Sequence, residues 1–197
     1  SGVTLLRCGA DRAVLKACGA REARACARVR ATAPHAHLVR VRRVYGAAPA
    51  RVLLDYGGCD LYDVVNAATP PPAARVLAWL SSISEAAHHL HVHARSAHCD
   101  IKPENIFVDA AGTARLGDFG GLTPLHERVR QVTPGYFNGH YLSLPGSDVF
   151  SIVMTCIVGI MRATPDGFDT HTREGRVHFM HFCAASAAFG VDFVLDA

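Results

Sequence analysis

The run His98-Cys99-Asp100-Ile101-Lys102-Pro103-Glu104-Asn105, followed by Asp118-Phe119-Gly120, decides how this chain folds. It sets an aspartate, a lysine two residues on and an asparagine five residues on ahead of a second aspartate. Between the two, residues 106–108 and 113–116 read as a hairpin turning at Ala110-Ala111-Gly112. Any of these polar residues alone would be an ordinary solvated loop or capping residue. Two carboxylates, an amide and an ammonium in this order and at this separation form a set that chance loops rarely supply.

The composition is that of a folded protein. Half of the 197 residues are hydrophobic and 19% are charged, enough for one sizeable core or two small lobes. The formal charge of +3 is too small to argue for nucleic acid, and a nearly neutral solvated surface is expected. Seven cysteines form no C-x-x-C pair and leave an odd thiol, and no signal pattern is evident at the N-terminal end. A reducing compartment, nucleus or cytoplasm, is the expectation. The most apolar stretch, residues 149–160, is too short to span a bilayer and reads as a buried helix.

Residues 3–6, 12–16, 38–45 and 51–56 have the partly alternating, β-branched look of strands, with an Ala/Arg-rich helix over 21–31. Gly57-Gly58 breaks the last strand, and Asp60 is placed to cap a short helix over 61–67. Pro70, Pro71 and Pro72 stop the chain before a long helix over 73–93, whose stripe is Val76, Leu80, Ile83, Ala87 and Leu90. A further helix starts near Ser147-Asp148. His89 and His93 stand four apart, a spacing that metal sites use, but Glu85 is the one nearby carboxylate. The histidines at 88, 89, 91 and 93 are read as a solvated helix face.

The H-x-D-x-K-P-E-N and D-F-G runs resemble the catalytic core of serine/threonine protein kinases. The resemblance implies an α+β, bilobal fold. A small antiparallel-sheet lobe with one helix would occupy residues 1–56, and a mainly helical lobe residues 57–197. It implies ATP and Mg²⁺ as cofactors and proteins as substrates. Asp100 would be the catalytic base and Lys102 would neutralise charge on the transferred phosphate. Asn105 and Asp118 would hold magnesium. Ala13-Val14-Leu15-Lys16 is similar to the family's V-A-I-K strand, making Lys16 the phosphate ligand and Glu22 its helix partner. Gly2 would be the last glycine of the phosphate loop, whose earlier glycines would precede residue 1.

Leu54-Asp55-Tyr56-Gly57 resembles the hinge, with Leu54 sizing the adenine pocket, Val14 and Phe107 enclosing the base, and Asp60 near the ribose. His98 would pack under Phe119, ahead of Gly120. Thr133 lies in an element similar to G-T-P-x-Y and would bond Asp100 and Lys102. Asp148, within Ser147-Asp148-Val149-Phe150-Ser151, would anchor the catalytic-loop backbone. Cys59, near the nucleotide, is read as a half-buried inert thiol.

Two departures stand out. Cys99 replaces the usual arginine, so activity is not expected to depend on a phosphate on the short loop after Gly120. Asn138-Gly139-His140 stands where the family has A-P-E. A streamlined or end-truncated kinase is the expectation, and a catalytically weak or inactive scaffold that binds nucleotide or protein partners is the alternative. A small-molecule phosphotransferase fits the Thr133-Pro134-Gly135-Tyr136 element less well. The Ala/Arg-heavy wording of the chain resembles kinases of large DNA viruses, herpesviruses in particular. That likeness implies a host nucleus or cytoplasm, with the virion as a further setting; the short apolar stretch and small net charge set the expectation of neither membrane nor direct nucleic-acid partners.

Overall fold

Four strands build the sheet of the smaller lobe in the computed structural model, which describes residues 2–9, 11–46 and 49–161. Strands β1 (Val3–Cys8), β2 (Asp11–Cys18), β3 (Val41–Tyr45) and β4 (Ala50–Asp55) pair antiparallel in the order β1-β2-β4-β3. In β4 the alternation sends Ala50, Val52 and Leu54 inward. Helix α1 (Ala20–Arg30) starts at once after β2 and buries Ala23, Ala25, Cys26 and Val29. The third strand begins three residues later than its composition predicts. Leu38 bridges Leu116 instead, and Val39 N–H donates to the Leu116 carbonyl at 2.8 Å, so residues 38–39 belong to the larger lobe's hairpin.

Gly57-Gly58 lets the chain pass from one lobe to the other. Gly58 has φ +118°, and a Cβ there would lie 2.0 Å from the Val108 carbonyl oxygen, so no side chain fits. Beyond it, β5 (Cys59–Asp60) leads into α2 (Leu61–Val65), which is two residues shorter than expected. As the sequence suggests, the Asp60 carboxylate caps α2 by accepting from the Asp63 N–H at 2.8 Å. Helix α3 (Ala73–His93) buries its whole stripe together with Trp79 and Ala86.

Two-residue β6 (Ser96–Ala97) pairs with β9 (Thr123–Pro124), while β7 (Ile106–Val108) and β8 (Ala114–Leu116) join β5 in a three-stranded sheet. Helix α4 (Pro145–Met161) opens with proline in its first turn, two residues ahead of Ser147. Its apolar run is only partly buried: Ile152 and Met154 face the interior, whereas Val149 is 37% exposed. Among the described residues no helix is long and apolar enough to cross a membrane. Residues 162–197, His- and Phe-rich in sequence, lie outside the described residues.

One hydrophobic cluster runs through both lobes, from Cys26 and Val52 through Leu116 and Phe119 to Ile83 and Leu90. It places the D-F-G segment at the junction between the lobes. Outside it, imidazoles join the turn after α1 to α3: the His35 and His89 rings lie 4.9 Å apart, and His89 and His93 lie 4.5 Å apart. These rings pack on one another, so His89 is part-buried rather than a solvated-face residue. No group of three or more His, Cys, Asp or Glu among the described residues could hold a metal ion.

Burial, and then His37, holds His35 below the ordinary histidine value of 6.5, against an opposing pull from Glu85. Burial, and then His35 and His93, lowers His89 in the same way. The folded chain therefore binds fewer protons than the unfolded chain as pH falls through 6.5. Stability is full above that value and declines below it. Urea midpoints measured at about pH 7.5 and about pH 5.5 should differ more for the unmodified chain than for His89→Gln. Equal differences would show that the imidazole cluster does not carry this dependence.

Candidate active site

Lys16, near the end of β2, meets two carboxylates. Its Nζ lies 2.7 Å from Glu22 Oε1 on α1 and 3.0 Å from Asp118 Oδ1. The short connection from Lys16 to Glu22 works because α1 begins two residues after β2 ends. Burial pulls the Lys16 ammonium down, but Glu22 and Asp118 outweigh it and hold it above its ordinary value. Burial pushes the Asp118 carboxyl up, and Lys16, the Gly120 N–H and His98 reverse that, so it stays ionised below the usual carboxylate range. Asp118 also adopts the left-handed backbone at φ 50°, a conformation disfavoured for a side chain and held here by its surroundings.

The loop carrying Asp100 hangs from α4. Asp148 is fully buried, and its carboxylate accepts the His98 N–H and the Cys99 N–H, each at 2.8 Å, and His91 Nε2 at 2.8 Å. His91 was placed by sequence on a solvated face, and the structure corrects this: its ring points inward to Asp148. The signal was present, because His91 stands four residues after the buried Ala87, but a histidine among three others masks it. Cys99 sits at φ 63°, and burial with the Asp148 charge pushes its thiol up to about 12. The thiol is therefore a packing group. His98 Nε2 lies 2.9 Å from the Gly117 carbonyl, and its ring meets Phe119 edge-on at 6.0 Å.

Four polar side chains converge above this loop. Thr133 Oγ1 donates to Asp100 Oδ1 at 2.5 Å, and Lys102 Nζ donates to Thr133 Oγ1 at 2.9 Å while lying 3.3 Å from Asp100 Oδ2. Asn105 Nδ2 donates to the Asp100 carbonyl at 2.8 Å and to Oδ2 at 3.0 Å. These bonds use the amide nitrogen, so its oxygen is the atom left for a cation. An amide oxygen and an ionised carboxylate, Asn105 and Asp118, fit the hard-oxygen donor set that magnesium prefers. Gly121 was not assigned a role by sequence. A Cβ there would stand 2.9 Å from Asp100 Cβ and from the His98 carbonyl, so its hydrogen lets the segment close over the loop.

At the junction of the lobes, Leu54 is buried and pairs across the sheet with Val14. Phe107 packs on the main chain of Gly57 and Gly117, where a Cβ would come within 2.7 and 2.8 Å of it. The Asp55 N–H donates to Arg40 at 2.9 Å and the Tyr56 N–H to Arg12 at 3.3 Å, so neither is offered to a ligand. The Asp55 side chain turns to Arg42, whose guanidinium also holds Asp11 through two bonds of 2.7 Å. Arg42 occupies a bulge in β3, which aims it at both carboxylates. Gly2 opens β1, its carbonyl accepting from the Ala17 N–H at 2.8 Å. Cys59 is exposed rather than half-buried, because β5 places it on the outer face.

The protein kinase domain family matches residues 12–184. NUAK family SNF1-like kinase 2 of Homo sapiens is 24% identical over 152 residues, covering 71% of this chain and 24% of its own. Serine/threonine-protein kinase Nek1 of Mus musculus is 34% identical over 95 residues, covering 47% of this chain and 8% of its own. This chain thus spans a quarter or less of the length of these relatives. The structure of the kinase PK-1 of Cydia pomonella granulovirus matches the fold with a TM-score of 0.71 at 16% identity, over 90% of this chain and 69% of that one.

Replacing Asp148 with alanine leaves two buried loop N–H groups without an acceptor and should cost about 3 kcal/mol or more in urea unfolding. Replacing His91 with alanine, which leaves Asp148 its two backbone donors, should cost about 1 kcal/mol. Comparable losses from the two changes would contradict the anchoring role of Asp148.

Proposed function

The chain belongs to the protein kinase domain family, and from that membership we propose that it is a Mg-ATP-dependent serine/threonine protein kinase of viral origin. The observation that carries catalysis is the contact of Lys16 with both Glu22 and Asp118, which ties β2, α1 and the D-F-G segment into one arrangement. Lys16 then holds the nucleotide's α- and β-phosphates. Asn105 and Asp118 would hold magnesium, which would supply charge neutralisation at the phosphates. The acceptor hydroxyl oxygen bonds to the γ-phosphorus, the bond to ADP breaks, and Asp100 takes the hydroxyl proton. Lys102 balances charge on the moving phosphate, and Thr133 keeps Asp100 and Lys102 in register.

Adenine enters between Val14 and Phe107 with Leu54 behind it. The Asp55 and Tyr56 main chain contributes carbonyls, since their N–H groups are engaged. Gly2 closes over the phosphates, and Asp60 reaches the ribose beside its capping bond. The serine/threonine preference rests on Lys102-Pro103 and on the relatives that carry that name. The viral origin rests on composition and phrasing, with the granulovirus protein contributing a likeness of fold alone. A host nucleus or cytoplasm, protein substrates and no direct nucleic-acid contact follow from that reading.

A scaffold that binds nucleotide without transferring phosphate is the second reading. It is favoured by the polar turn at Asn138-Gly139-His140, where the Asn138 Oδ1 accepts from the His140 N–H at 3.1 Å in place of a glutamate. Phosphate transfer from labelled ATP with magnesium to a generic basic protein separates the two. Asp100→Asn and Lys16→Met should each lower the rate by at least about 10²-fold. No transfer by the unmodified chain, with nucleotide still raising its melting temperature, would leave the scaffold.

A further inference from the structure

Charge is divided unevenly between the lobes. Residues 1–56 carry eleven arginines and lysines against three carboxylates, whereas residues 57–197 carry nine against fourteen. The small net charge thus conceals a strongly basic smaller lobe. Much of that charge borders β3, an outer strand of the sheet, one edge of which has no strand partner. Arg30 at the end of α1, Arg40 just ahead of β3, Arg43 within it and Arg51 on β4 are all exposed. Among the described residues none of these four pairs with a carboxylate, whereas Arg42 is neutralised by Asp11 and Asp55. A cavity of about 370 Å³ opens between the turn after α1 and the start of β3, bordered by Arg30, Arg40, Arg42, His35, Pro34 and Val41, and no carboxylate lines it. Arg30 Nε donates to the Arg42 carbonyl at 3.3 Å, which fixes its guanidinium at the rim. Its two terminal nitrogens have no partner among the described residues.

We propose that an extended acidic segment of a partner protein docks along β3 and seats one of its carboxylates in this cavity. An extended chain pairs its main chain with an open strand edge, and its alternate side chains then share one face. A guanidinium fork takes a carboxylate through two parallel hydrogen bonds, so several free forks on one surface select a chain with several carboxylates. Arginines along an edge also repel a second copy of the same strand, so the occupant is not another β3. Single-stranded nucleic acid fits this surface less well, because its bases stack on open aromatic rings. Both tyrosines of the region are covered: Arg43 lies 5.5 Å from the centre of the Tyr45 ring, and Arg12 lies 4.5 Å from that of Tyr56. None of the four free arginines belongs to the site around Lys16, Asp100 and Asp118, so the docking does not rest on the kinase reading.

Fluorescence anisotropy on the unmodified chain, with no nucleotide present, tests this independently of phosphoryl transfer. The probes are short labelled peptides in which threonine alternates with glutamate, glutamine or lysine, and oligonucleotides of equal charge, single-stranded and duplex. The glutamate peptide should bind about tenfold or more tightly than the glutamine peptide. Arg30→Ala with Arg40→Ala should remove that preference, whereas Arg75→Ala, an exposed position on α3, should keep it. Arg30→Glu with Arg40→Glu should turn the preference towards the lysine peptide, a gain that an unfolded variant could not give. Equal binding of the glutamate and glutamine peptides would overturn the proposal. So would a preference that survives the alanine pair, one that is lost equally in Arg75→Ala, or a reversed variant that still selects glutamate. Tighter binding of either oligonucleotide would overturn it as well.

Discussion

The site depends on a single buried carboxylate. Asp148 has no exposed surface, and an ionised group in that position persists only if donors surround it. Two of its donors are main-chain N–H groups of His98 and Cys99, so satisfying the charge and shaping the loop that carries Asp100 are the same event. Cys99 accepts the left-handed conformation that brings both N–H groups to one acceptor. Asp100 follows directly and inherits its direction from that turn. His91 completes the shell from α3, so the loop is held between two helices rather than by its own sequence.

Helix α1 plays the corresponding part in the smaller lobe. Its inward face is small and apolar, with Ala23, Ala25, Cys26 and Val29 packed on the sheet. Its edge carries Glu22 to Lys16, and its outer face carries the arginines. The three faces assign separate tasks to one helix of eleven residues: packing, alignment of Lys16, and a positive border on the segment after Gly120. A shift of α1 would disturb all three together. The bulge at Arg42 works in a similar way on the opposite side, tying β3 to Asp11 and to Asp55 at the crossing between the lobes.

The replacement of the usual arginine by Cys99 changes where positive charge sits near the loop that carries Asp100. The thiol, raised by burial and by Asp148, carries no charge and serves packing. Guanidiniums are gathered instead on α1 and on residues 128 and 130, one layer outward. The loop from His98 to Asn105 is thereby left with Lys102 as its cation, engaged with Thr133 and Asp100.

Local chemistry made much of this protein legible from sequence. The stripe of α3, the cap at Asp60 and the strand carrying Lys16 depend on residues a few positions apart, and periodicity or hydrogen-bonding capacity reveals such relations directly. The linear order of Asp100, Lys102, Asn105 and Asp118 likewise sufficed to name the fold. Tertiary structure decided what depends on residues far apart in the chain. Leu38 left its strand because Leu116 offered a partner 78 residues away. His91 became a part-buried partner of Asp148 rather than one more surface histidine, and Gly121 became obligatory because Asp100 lies against it. The arginines of α1 and of residues 128–130 read as scattered surface charge until folding set them around one cavity. Charge and volume add up in space, and a sequence displays only the separation along the backbone.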